Sequence, residues 1–101
     1  MSLDSNLSSI RQLLRDAIPE LADAFGVESL AVFGSVARGE LTAGSDVDLL
    51  VRFHGQPPSL FGFVRLERQL SELLGRPVDL VMETALKPRL RDRILAESVA
   101  A

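Results

Sequence analysis

The stretch from Val47 to Met82 leaves this chain few folds to choose from. In Val47-Asp48-Leu49-Leu50-Val51-Arg52-Phe53 the apolar residues at 47, 49, 51 and 53 alternate, the two-residue period of a strand. Gly55-Gln56-Pro57-Pro58 then breaks the chain. Ser59 suits a helix N-cap, and Leu60, Phe63, Val64, Leu66, Leu70, Leu73 and Leu74 form a broad apolar stripe that Gly75 and Pro77 stop. Val78-Asp79-Leu80-Val81-Met82 reads as the next strand. A strand, a helix of crossover length and a second strand predict parallel neighbours with a right-handed connection.

The flanking segments complete an α/β domain. From Ser5 to about Ala17, apolar residues at Leu7, Ile10, Leu13, Leu14 and Ala17 have helical spacing. Pro19 predicts a break there, with a second short helix over 20–25 ended by Gly26. Ser29-Leu30-Ala31-Val32-Phe33 reads as a buried strand. Gly34 to Gly39 reads as a turn with room for one helical turn, and Thr42 to Ser45 as a loop. Pro88 opens a last helix with Leu90, Ile94 and Leu95 on its apolar side. The expected order is α-α-β-β-α-β-α around a small mixed sheet of about three strands, as one domain over residues 1–101.

That topology brings distant carboxylates together. Asp46 and Asp48 fall on one side of the strand that Val47 opens. Asp79 begins the parallel neighbour, so it is expected beside them. The connection from Gly34-Ser35 to Asp46 is short, which predicts antiparallel pairing and brings that turn to the same sheet end. Carboxylates so grouped repel by several kcal/mol at moderate dielectric unless a cation neutralises them. Hard oxygen donors without His or Cys select Mg²⁺, with Mn²⁺ as the substitute, and two such ions are the general device for displacement at phosphorus. A Gly-Ser turn lets phosphate oxygens approach backbone N–H groups, and Arg38 adds positive charge. Taken singly, each feature also has a plainer reading: a tight turn, the polar side of an edge strand, a surface arginine. His54 reads as a surface residue.

Composition closes off several classes. The chain has no Cys, which removes disulfides and thiolate metal sites. Its start lacks the blocks of a signal peptide and no apolar run reaches the roughly 20 residues of a membrane span, so a cytoplasmic protein is expected. A net charge of −3 argues against direct nucleic-acid binding, which draws on a basic excess. The local exception, Lys87, Arg89, Arg91 and Arg93, reads either as a solvated helix face or as a contact for an acidic partner or phosphates.

The sequence resembles a known family. Gly34-Ser35-Val36-Ala37-Arg38-Gly39 followed by Ser45-Asp46-Val47-Asp48-Leu49-Leu50-Val51 is similar to the signature of the DNA polymerase beta-like nucleotidyltransferases, with ten residues between Ser35 and Asp46. Arg76-Pro77-Val78-Asp79-Leu80-Val81 resembles the segment carrying that family's third carboxylate. The likeness continues through Leu86-Lys87-Pro88-Arg89-Leu90 and Ile94-Leu95-Ala96-Glu97. The nearest subgroup is the minimal nucleotidyltransferase (MNT) proteins, often antitoxins paired with HEPN-domain toxins. The resemblance implies Asp46, Asp48 and Asp79 as ligands of two Mg²⁺ ions, with Asp79 also near the acceptor hydroxyl. It implies Gly34, Ser35, Arg38 and Ser45 as nucleotide contacts. It further implies AMP transfer from ATP, or use of another NTP, to a tyrosine of a HEPN toxin held in a hetero-oligomer. The C-terminus departs from the pattern, reading Ser98-Val99-Ala100-Ala101 where similar chains end with an aromatic, so Val99–Ala101 receive no role. Two alternatives stand beside this reading. One is a small-molecule nucleotidyltransferase working with a separate helical subunit; the other is a non-catalytic antitoxin that masks its toxin.

Overall fold

A computed structural model describes residues 7–40 and 45–101. The elements are α1 (Leu7–Phe25), β1 (Val27–Phe33), α2 (Gly34–Ala37), β2 (Val47–Phe53), α3 (Leu60–Leu74), β3 (Val78–Met82), a 3₁₀ turn (Glu83–Ala85), α4 (Pro88–Glu97) and β4 (Val99–Ala100). They build one mixed sheet in the order β3-β2-β1-β4. β2 pairs parallel with β3 and antiparallel with β1, as the crossover helix and the short connection demand. The expected helix start at Ser5 and residues 42–44 of the expected loop lie outside the described residues.

The alternation in β2 becomes two unlike faces. Val47, Leu49 and Val51 are buried in a core with Leu30 and Val32 of β1, Val78 and Leu80 of β3, Ile10, Leu14 and Leu21 of α1, and Leu66 and Leu70 of α3. α1 and α3 pack on each other and close this side. Asp48, Leu50 and Arg52 point the other way, across from Phe33, Ala31 and Ser29 in the β1 register. Here α4 gives partial cover, with Leu95 lining the same depression as Ala31, Leu50 and Arg52. Truncating a fully enclosed side chain such as Leu49 costs about 2–5 kcal/mol, because the cavity left behind only partly collapses.

α3 is held at both ends and also guards an edge. Ser59 Oγ accepts from the Gly62 N–H at 3.3 Å as N-cap, and Gly75 closes the helix in a left-handed conformation at φ 67°. On β3, the Leu80 N–H donates to Glu67 Oε2 at 3.0 Å and the Val78 N–H to Ser71 Oγ at 3.1 Å. Side chains of α3 thus take up edge N–H groups that would otherwise template another strand. The same bonds fix the height of β3, and with it Asp79.

Two expectations are corrected. Pro19 does not split the first helical region; α1 runs through it to Phe25. The apolar stripe Ile10, Leu14, Leu21 continues across the proline, while Pro19 and Arg15 lie on the exposed side, where water can reach the Arg15 carbonyl, to which Pro19 offers no N–H. Tertiary burial outweighs the local break. The second correction concerns the C-terminus. Val99–Ala100 form β4, a fourth strand antiparallel to β1 with Val32 opposite Val99. The Ala101 N–H donates to the Leu30 carbonyl at 3.0 Å, and Arg11 Nε donates to the Ala100 carbonyl at 2.8 Å. A two-residue strand is too short to show a period, so the sequence carries no sign of it. β1 also begins earlier than the apolar run at Ser29, at Val27, with an irregular step between Val27 and Ser29.

Candidate active site

One end of the sheet gathers the residues picked out by spacing. Asp48 stands directly opposite Asp79 in the parallel register and opposite Phe33 in the antiparallel one. Phe33 is followed at once by the Gly34 turn, so three chain segments meet at a single level. The Val47 N–H donates to the Pro77 carbonyl at 2.9 Å, tying the first residue of β2 to the approach of β3. Asp46 immediately precedes β2 and is exposed, as is Asp79; Asp48 is half-buried between them.

The turn after β1 is built for close approach. Gly34 has φ 74°, which a side chain rarely tolerates, and a Cβ there would collide with Asp48 Oδ2 and sit 3.2 Å from its Cγ. α2 is a single turn: the Arg38 N–H reaches back to the Gly34 carbonyl at 3.2 Å and the Glu40 N–H to the Ser35 carbonyl at 2.8 Å. Ser35 is half-buried at the start of this turn, and Val36 anchors it in the core. Ser45 lies at the other approach to β2, its carbonyl accepting from Arg76 Nη1 at 3.4 Å.

The electrostatics are those of acids crowded around Asp48. Burial, then the negative charges of Asp79 and Asp46, hold the Asp48 carboxyl above its ordinary value, while Arg38 pulls it back down. The fields of the other two carboxylates therefore meet at Asp48. Arg38 is itself occupied, with Nη2 3.4 Å from Glu40 Oε1 and Nη1 3.3 Å from Glu97 Oε1. Its guanidinium is held charged chiefly by Glu40, with Glu97 and Asp48 adding to the effect.

The donor set fits a hard divalent cation, offering carboxylate oxygens whose mutual repulsion a cation would relieve. Among the described residues, no three His, Cys, Asp or Glu side chains already form a closed ligand group. His54 is exposed and away from this end, 3.9 Å from Glu28 Oε1.

The basic run lies on α4 and its approach, with Lys87, Arg89 and Arg93 exposed around Leu90. Glu97 is the residue whose place the sequence did not reveal: it belongs to the matched C-terminal segment but comes to the Gly34 turn only through the packing of α4 and β4. None of the described helices is long and apolar enough to cross a membrane.

A sheet that carries acids at the heads of two parallel strands, beside a glycine turn on a third, is the framework of the polymerase beta-like nucleotidyltransferases. Residues 13–101 match the model of the nucleotidyltransferase domain family, and the chain belongs to that family. It is 45% identical over 93 residues to the protein adenylyltransferase MntA of Thermococcus cleftensis, covering 92% of this chain and 93% of that one. It superposes with TM-score 0.78 and 40% identity on a solved structure assigned as a minimal nucleotidyltransferase, covering 93% and 94% of the two chains. A chain in a crystal structure of a toxin–antitoxin with AMP-PNP matches at TM-score 0.66 and 25% identity, over 88% of this chain and 66% of that one. The protein is a nucleotidyltransferase.

Proposed function

We propose that the protein transfers AMP from ATP to a tyrosine hydroxyl of a helical HEPN-type toxin, as the antitoxin of that pair. The observation that carries the reading is the meeting of Asp48, Asp79 and Gly34 at one sheet end. The adenylyl donor is supported by a relative named for protein adenylylation and by a similar chain crystallised in a toxin–antitoxin with AMP-PNP. This chain has no Tyr, so a tyrosine acceptor must come from another molecule.

In this reading Asp46, Asp48 and Asp79 would hold Mg²⁺, which would neutralise the triphosphate and the charge that develops on it. Ser35 and the Gly34 backbone seat phosphate oxygens, Arg38 adds a guanidinium, and Ser45 borders the nucleotide. The acceptor oxygen attacks the α-phosphorus, the bond to the β-phosphate oxygen breaks, and pyrophosphate leaves. Asp79, exposed at the strand head, receives the hydroxyl proton.

Intact-mass spectrometry of both chains tests this. With ATP and Mg²⁺ alone the chain's mass should stay constant. With the cognate partner present, the partner should gain one or more AMP masses on tyrosine. Efficient self-labelling on Ser or Thr, or labelling of a small molecule with the partner untouched, would refute the proposal.

A further inference from the structure

Glu97 is the last residue of α4, and one of its oxygens does two things at the turn after β1. Oε1 accepts from the Gly34 N–H at 3.2 Å and lies 3.3 Å from Arg38 Nη1. An anionic oxygen shared by a glycine N–H and a guanidinium is also how a phosphate oxygen is bound. The position is not accidental to the fold. The Ser98 N–H closes back on the Leu95 carbonyl, and β4 then docks on β1. That strap places Glu97 beside the turn through residues distant in sequence. The side chain is nonetheless 33% exposed and Arg38 49%, so the carboxylate can swing into solvent without unseating the backbone.

Other acids crowd the same donors. Arg38 already has Glu40 at 3.4 Å, and Asp48 with its like-charged neighbours lies on the other side of Gly34. A triphosphate entering this end would bring further negative charge toward a carboxylate holding the donors it needs. We propose that Glu97 is an internal stand-in for a nucleotide phosphate: in the free protein its carboxylate occupies the Gly34 N–H and Arg38, and it yields both when a nucleoside triphosphate binds. Glu97 is thus a positioning residue that sets nucleotide affinity. The inference rests on the reading, given above, that the Gly34 turn and Arg38 receive the triphosphate.

A purely structural tie and a displaceable stand-in predict opposite outcomes. Glu97→Gln keeps the shape and one acceptor oxygen but removes the charge. Titration of the full chain with Mg²⁺ and a non-hydrolysable ATP analogue should show roughly twofold to fivefold tighter binding for Glu97→Gln, the scale of one exposed ion pair released. Turnover should keep its kcat and lower its KM by the same factor. Glu97→Asp, which keeps the charge but withdraws it by one methylene, should move affinity in the same direction and serves if the glutamine variant folds poorly. Unchanged or weaker binding in a folded variant overturns the proposal. Arg38→Ala separates it from the reading beneath it. If Arg38→Ala weakens binding while the Glu97 variants do not strengthen it, only the stand-in fails. If Arg38→Ala also leaves binding unchanged, the phosphate-binding assignment of the turn fails with it.

Discussion

The two ends of β2 carry charge in opposite ways on the same face of the sheet. At the far end Arg52 meets Glu83, with Nη2 2.8 Å from Oε2 and Nε 3.2 Å from the same oxygen. The two charges of this pair complement each other directly. At the near end Asp48 faces Asp79 across the register, with Asp46 close enough to raise its proton affinity further. Arg38, whose charge reaches Asp48, has two acids of its own, and Arg76 bonds the Ser45 carbonyl beside Asp46. A fold that satisfies charge at one end and leaves it unsatisfied at the other marks the second end as the place where something charged is bound.

The largest expected effect breaks that contrast outright. Asp46→Asn with Asp48→Asn removes the ligand charge while keeping side-chain shape. Turnover should fall about 10³-fold or more, since metal-held charge stabilisation is worth several kcal/mol and about 1.4 kcal/mol is tenfold. The fold should survive, because neither residue lies in the buried core. Steady-state kinetics with a circular-dichroism melt checks both parts; full activity in the double variant contradicts the assignment. Ser35→Ala is smaller. A hydroxyl bonded to phosphate contributes about 1.5–3 kcal/mol, so NTP use should weaken roughly 10- to 100-fold with the melting temperature nearly unchanged. Equal kinetics would make the turn purely structural.

The smallest effect sharpens the comparison through pH. Asp48 binds its proton more tightly folded than unfolded, so the native state holds more protons across the carboxylate range. Its contribution therefore lowers stability as pH rises from about 4 towards neutrality, the reverse of a carboxylate held by a cation. In metal-free buffer the melting temperature of Asp48→Asn should exceed that of the parent by a margin that grows over this range. Arg52→Gln, at the compensated end, should show no such gain. A margin that stays flat with pH would mean the acid cluster does not load the fold.

Much of this was legible because the site hangs on regular elements. The alternation of β2, the Gly and Pro stops and the N-cap at Ser59 fix the strand–helix–strand unit from β2 to β3. Its parallel register alone brings Asp79 to Asp48. What escaped the sequence depends on contacts between distant segments. Pro19 is carried inside α1 by burial on both sides of it, and β4 exists only because β1 offers it an edge. Glu97 meets Gly34 across 63 positions, a contact with no local pattern to announce it.

Direct titration of the purified chain with a non-hydrolysable ATP analogue, in Mg²⁺ and then in excess EDTA, reaches the central claim with the fewest intermediate steps. Binding should be tight in Mg²⁺, collapse in EDTA, return with Mn²⁺, and be absent in Mg²⁺ for Asp46→Asn with Asp48→Asn. Undiminished binding in EDTA, or in the double variant, would contradict the claim that the carboxylates at this end of the sheet hold the cation that holds the nucleotide.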